Sequence, residues 1–160
     1  MPATRCCATC AHTFACPDAV AIIDRAALGI PDEYLHWEGD PAEDHIGPFF
    51  YQLLGNGRMR NVFRPQPHHC NTYGAVHGGV LMTFADQGLC LAAIESESDT
   101  VVTVSATCDF IDSARVGELL TGEGEATRIA GSLAFTRVTI RAGDRIVMTA
   151  SGVIKRVRKS

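Results

Sequence analysis

The chain is 160 residues long, 46% hydrophobic and 20% charged, with 14 Lys plus Arg against 18 Asp plus Glu for a formal charge of −4. That is one domain's worth of protein, with enough apolar material for a core and too little charge for an extended disordered chain. The acidic balance, with no zinc-finger or helix-turn-helix spacing, argues against a nucleic-acid partner, whose phosphates call for clustered Lys and Arg.

Seven cysteines are present, and four of them, Cys6, Cys7, Cys10 and Cys16, fall in the first sixteen residues. An odd count so distributed does not suit a secreted disulfide scaffold. Cys7-x-x-Cys10 with His12 and Cys16 has the residue types of a zinc site, but no second CxxC completes it, so free thiols on an N-terminal tail and no metal are expected. No basic region followed by an apolar run marks a secretory signal. No apolar run approaches the roughly 20 residues that cross a bilayer. A cytoplasmic protein without a membrane partner is expected.

Pro17 opens a stretch in which Val20, Ile23, Ala27 and Leu28 recur at helical spacing, which predicts a short helix from Pro17 to Leu28, ended by Gly29 and Pro31. Glu33 to His45 is acidic, with Trp37 as its one large anchor, and suits an irregular connection or a short helix. Residues 1–46 are thus expected to be a Cys-rich tail and helical extension, and residues 47–160 the main domain.

From Gly47 the pattern turns to strands. Pro48 to Leu54 and Arg58 to Arg64 flank Gly55-Asn56-Gly57, a tripeptide suited to the positive φ of a tight hairpin. Gly79 to Glu95 is apolar around most of a helix circumference, which predicts a helix buried on nearly all sides. Four β-rich runs follow, Thr100–Ile111, Gly117–Ile129, Ser132–Arg141 and Arg145–Val157, joined by links too short for crossover helices, so the sheet must be antiparallel. One long helix within an antiparallel sheet is an α+β arrangement.

That helix carries one acid in its middle, Asp86, and a charge among apolar neighbours is expensive unless paired, hydrogen-bonded or used. Upstream lies Asn71-Thr-Tyr-Gly74-Ala-Val-His77-Gly78-Gly79. Two glycines at the mouth of a helix let a substrate approach the backbone, where free N–H groups and the positive end of the helix dipole suit an oxyanion. There is no Gly-x-Ser-x-Gly elbow, phosphate loop or Rossmann fingerprint. His68-His69-Cys70 could suggest a thiol nucleophile or metal ligands, but adjacent side chains on an extended segment point apart.

The run Asn71-x-x-Gly74-x-x-His77-Gly78-Gly79 followed by Asp86 resembles the hotdog-fold acyl-CoA thioesterases, in particular the phenylacetate-degradation branch. Val102-Thr103-Val104, Phe110 to Gly117 and Gly131-Ser-Leu-Ala-Phe135 add to the resemblance, which covers roughly residues 47–157. It implies a long central helix wrapped by a curved antiparallel sheet, an acyl-CoA substrate and no cofactor. Asp86 would be general base or nucleophile, and the Gly78 N–H would hold the thioester oxygen. Asn71 and His77 would orient substrate, water or the loop itself, and Thr103 would hydrogen-bond the water.

Eight residues separate Gly78 from Asp86, about 12 Å along one helix, so both can act on one carbonyl only if they come from two subunits across a twofold axis. A homodimer is therefore expected, with a dimer of dimers in view. Gly79, Met82, Thr83, Cys90 and Ala93 share the face of Asp86 and would line the acyl pocket or the dimer seam. Arg115, Arg128, Lys155, Arg156, Arg158 and Lys159 are candidates for coenzyme A phosphates, none singled out. A hotdog hydratase or dehydratase and a non-catalytic acyl-CoA sensor are the alternatives.

Overall fold

Strands β2 (Phe50–Gly55) and β3 (Arg58–Phe63) form the expected hairpin, and Asn56 and Gly57 at its tip have φ of 53° and 68°. Both central residues of such a turn need positive φ, which is why Asn-Gly stands there. This hairpin belongs to a seven-stranded antiparallel sheet in the computed structural model, which describes residues 24–157. The other strands are β1 (Leu35–His36), β4 (Thr100–Phe110), β5 (Leu120–Ala130), β6 (Leu133–Ala142) and β7 (Arg145–Val157), and the order across the sheet is β1-β2-β3-β5-β6-β7-β4. The run expected from Gly117 starts at Leu120, because Gly117 sits in a turn at φ 79°.

The main helix spans Gly78–Ala93 and lies on one face of the sheet against β3 to β7; a short helix, α1, at Pro41–Ile46 precedes it, making the main helix α2. Phe84, Ala85, Leu89 and Ala93 of α2 join Phe49, Phe63, Val138, Ile140, Met148 and Ile154 in one buried core. The helix is not buried all round. Gly79 and Met82 are exposed and Thr83, Asp86 and Cys90 half-buried, so one stripe stays open. Ala93, expected on that stripe, is instead 1% exposed in the core, because the stripe closes at the last turn.

The sheet approaches α2 so closely that β5 needs glycines beneath it. A Cβ at Gly122 would lie 2.1 Å from Asn61 Oδ1, and Asn61 is fully buried with its Nδ2 donating to the Phe84 carbonyl and to Gln87 Oε1, each at 3.1 Å. Gly122→Ala is expected to destabilise the fold by about 1–3 kcal/mol through this overpacking, seen as a lower urea midpoint at unchanged slope.

Residues before Gly47 are part of the same packing. Ile30 and Tyr34 cover Phe50 and Val62 on the sheet face away from α2, whereas Trp37 joins Tyr51, Met59 and Leu91 on the helix side. In between, β1 pairs with β2, an edge pairing that the acidic composition of residues 33–45 did not suggest. Asp40 caps α1 by accepting from the Ala42 and Glu43 amides at 3.1 Å, and Pro41 takes the first position, where no N–H is needed. The helix expected over 17–28 and the Cys7, Cys10, His12, Cys16 cluster lie outside the described residues, except the end of that helix: residues 25–29 form a hydrogen-bonded turn, with Leu28 N–H on the Asp24 carbonyl at 3.2 Å.

The two sheet edges differ. At one side β1 is two residues long, and at the other β4 presents eleven residues with no strand beyond it among the described residues. Val102, Val104, Phe110 and the following Ile111 are 52%, 61%, 54% and 58% exposed, an apolar edge of the kind that templates pairing with another strand.

Candidate active site

Thr103 on β4 donates its hydroxyl proton to Asp86 Oδ1 at 2.8 Å, and Cys90 Sγ lies 3.3 Å from the same Thr103 oxygen. A hydroxyl has one proton, and Asp86 receives it, so the thiol is the donor in the second contact. Burial pushes the Cys90 thiol up to about 11, which keeps it protonated at neutral pH. The chain Cys90 to Thr103 to Asp86 therefore runs in one direction, and among the described residues Asp86 Oδ2 takes no protein hydrogen bond. A β-bulge makes the contact possible. Pairing of β4 with β7 shifts between Thr103 and Ser105, so Val101 and Thr103 face the helix before the bulge while Cys108 and Phe110 face it afterwards.

The other end of α2 is built by the loop before it. His77 caps the helix, its Nδ1 accepting from the Gly79 N–H at 3.0 Å, and its own N–H donates to the His69 carbonyl at 2.8 Å. Among the described residues the Gly78 N–H donates to no protein acceptor. A Cβ at Gly78 would meet the Phe110 ring at 3.1 Å, which accounts for glycine there and places an exposed aromatic beside the free N–H. Asn71 Oδ1 accepts from the Tyr73 and Ala75 amides at 2.9 and 3.3 Å, and its backbone N–H reaches the Ala75 carbonyl at 2.8 Å. Asn71 thus ties together the backbone of the loop before α2.

Asp86 and Thr103 are brought together; Gly78, Gly79 and His77 form a second group at the helix start. Met82 and Thr83 lie on the open stripe between them, with the Thr83 hydroxyl donating to the Gly79 carbonyl at 3.0 Å. Asp86 also opens on a cavity of about 410 Å³ whose walls include Trp37, Glu43, Gln87, Cys90 and Ile94. None of these five was singled out from sequence as a functional residue except Cys90, as a face neighbour of Asp86. Gln87 was the available signal, being a second polar residue in an apolar helix; Trp37 and Glu43 reach the cavity only through the tertiary packing of residues 30–46.

The sequence profile of the thioesterase superfamily matches residues 73–149, from the loop before α2 into β7. A Pseudomonas aeruginosa protein provisionally named an esterase, PA0474, is 34% identical over 119 residues, 73% of this chain and 89% of its own. The chain belongs to the thioesterase superfamily. As a member it is a thioester hydrolase, and its architecture is the hotdog fold. Three solved structures share that fold: the Escherichia coli PaaI protein from the phenylacetic acid degradation operon (TM-score 0.70, 18% identity, 77% of this chain and 88% of that one), the conserved protein PA5202 of P. aeruginosa (0.68, 20%, 74% and 95%), and a Streptococcus pneumoniae thioesterase-type protein solved with coenzyme A (0.64, 21%, 69% and 90%).

In this thioesterase His69 is a packing residue. It is 3% exposed, its Nδ1 accepts from the Gln66 N–H at 2.7 Å, and burial, helped by neighbouring His68, pushes the imidazole down to about 4, so it stays neutral. Among the described residues no three His, Cys, Asp or Glu side chains converge as a metal site, so His68, His69 and Cys70 do not form one. Of the cations considered for phosphate, Arg156 lies 3.6 Å from Glu95, Arg115, Arg128 and Lys155 are exposed, and Arg158 and Lys159 lie outside the described residues. No helix among the described residues is long and apolar enough to cross a membrane.

Proposed function

We propose that this thioesterase hydrolyses an acyl- or aryl-acyl-CoA in the cytoplasm, with Asp86 as general base and the Gly78 N–H as oxyanion donor. The observation that carries this is a carboxylate oriented by a strand hydroxyl on the open stripe of a helix whose first N–H is free. A water at Asp86 Oδ2 can give one hydrogen to the carboxylate and the other to the Thr103 lone pair, which turns its own lone pair toward a thioester carbon. Negative charge developing on the carbonyl oxygen is then met by the Gly78 N–H and the positive end of α2. The thiolate leaves and takes the proton held by Asp86. No cofactor enters this sequence.

The two groups are about 12 Å apart on one helix, so each site would combine Asp86 of one subunit with Gly78 of the partner subunit. Pairing of the exposed β4 edges about a twofold axis would set two α2 helices antiparallel side by side, and pairs of such dimers would form the tetramer. Residues 47–160 would then be the thioesterase domain, and the end of the 1–46 extension would close the cavity beside Asp86. His77 and Asn71 hold the loop that aims Gly78, and Gly79, Met82 and Thr83 line the groove the acyl thioester enters. The CoA-bound state of the S. pneumoniae relative and the operon of PaaI support coenzyme A as carrier and an arylacetyl group as one candidate.

Release of free thiol from a panel of phenylacetyl-, hydroxybenzoyl-, short, medium and long acyl-CoAs tests the proposal. Hydrolysis of at least one member is expected; tight binding of several without release would favour an acyl-CoA sensor. Thr103→Val, which keeps shape and removes the hydroxyl, is expected to lower kcat by about 10- to 100-fold, the worth of one hydrogen bond to a charged group, with Thr103→Ser restoring most of it. Equal rates in Thr103→Val and wild type would remove Thr103 from the mechanism.

A further inference from the structure

Among the carboxyls that line the cavity beside Asp86, Glu43 is one that the chemistry above does not use. Glu43 comes from α1, in a part of the chain without any thioesterase motif, and its Oε2 accepts from Gln87 Nε2 at 2.7 Å. Gln87 is 5% exposed and adjoins Asp86 in sequence, and its Oε1 accepts from buried Asn61 Nδ2 at 3.1 Å. A continuous hydrogen-bonded line thus runs from β3 through α2 to α1 and ends on Glu43 in the cavity wall. Its position is fixed by buried neighbours rather than chosen by solvent.

We propose that Glu43 is a specificity-determining residue whose proton decides which acyl groups this cavity accepts, an uncharged acyl group being favoured while the carboxyl is neutral and disfavoured once it ionises. The inference rests on the cavity being the acyl pocket of the proposed hydrolase. Its physical basis is the composition of the walls. Asp40 and Glu43 on the α1 side, Asp86 on α2, and Glu97 and Asp99 on the opposite wall all line the cavity, and no Lys or Arg does. Glu97 accepts from the Tyr51 hydroxyl at 2.8 Å, and Asp99 accepts from the Glu95 and Ser96 amides. Of the nearby cation candidates among the described residues, Arg156 on β7 lies 3.6 Å from Glu95, and His36 spends Nε2 on Asp44 at 2.9 Å and Nδ1 on the Phe49 carbonyl at 3.0 Å.

Glu43 therefore holds a charge there only at a cost. Burial pushes it up to about 7; the Gln87 hydrogen bond and His36 oppose that rise, whereas the charges of Asp40 and Asp86 add to it. The sign follows directly. Below pH 6 Glu43 is protonated and adds no charge to the wall beside the acyl group; above pH 8 its carboxylate must stay solvated, and an apolar acyl group that expels its water is penalised. An acyl group ending in a carboxylate is disfavoured at both extremes and most at high pH.

The test measures kcat and KM for a neutral acyl-CoA and for a dicarboxylic acyl-CoA from pH 5.5 to 8.5, in wild type and Glu43→Gln. In wild type the KM for the neutral substrate is expected to rise about 3- to 10-fold through pH 7 with little change in kcat from this group. In Glu43→Gln that rise is expected to vanish, and the dicarboxylic substrate to gain relative to wild type. A KM profile unchanged by the substitution overturns the role of Glu43 while leaving the hydrolase intact; no thiol release by wild type from any thioester overturns both. A measurement on unmutated protein guards against a variant that folds poorly. With glutamate labelled by carbon-13 at the carboxyl, one Glu resonance is expected to titrate near pH 7, and a spectrum in which every Glu titrates below about pH 5.5 overturns the proposal.

Discussion

Asp86→Asn is expected to lower kcat for thioester hydrolysis by about 10²- to 10⁴-fold while the fold keeps its stability, the range of a lost general base. Asn has the same shape, and its carbonyl oxygen can still accept from the Thr103 hydroxyl, so the Cys90 to Thr103 chain survives. What disappears is the ability to take a proton from water. Thiol release under saturating acyl-CoA, with thermal unfolding as control, reads both. A loss below about tenfold would mean that another group activates the water. Wild-type protein provides the test for direct nucleophilic attack. In single turnover in heavy-oxygen water, label is expected in the released acid and not in Asp86; label in the Asp86 carboxyl would show direct attack through an anhydride.

How much of this could be read in advance depended on whether a feature was local. The Asn56-Gly57 turn, the strand runs and the long helix are written in positions a few residues apart, where periodicity and positive-φ residues suffice. That Gly78 and Asp86 share one helix was legible because a helix is read end to end from local spacing. Thr103 came from the resemblance alone; no spacing rule connects it to Asp86, since a bulge at Val104 decides which β4 side chains face α2. The open stripe was misjudged because Gly79, Thr83 and Cys90 are small, and small residues suit a core and a groove equally well. Trp37 and Glu43 were beyond sequence reasoning for a different cause. They reach the cavity because Ile30 and Tyr34 anchor the segment on the far face of the hairpin and the chain then wraps its edge, a path set by long-range packing and by no local pattern.

Mixing two inactive chains should produce an active enzyme. Gly78→Pro removes the N–H proposed to hold the thioester oxygen, and Pro is tolerated at the first position of a helix, so α2 should still form behind the His77 cap. The added ring meets Phe110, which is exposed and can move aside. Alone, this variant and Asp86→Ala are each expected to lose about 10²-fold or more of activity. If each site takes Gly78 from one chain and Asp86 from the other, a mixed dimer contains one site with both defects and one with neither. Random exchange at equal concentrations makes half the dimers mixed, each with one working site of two, so about one quarter of wild-type activity should return. The fraction is the informative number. Recovery near that level requires sites shared between subunits, as the 12 Å along one helix demands. No recovery, with exchange confirmed by mass spectrometry of differently tagged chains, would mean that Gly78 and Asp86 do not act on one thioester carbonyl, and would leave the exposed β4 edge without a catalytic reason to pair.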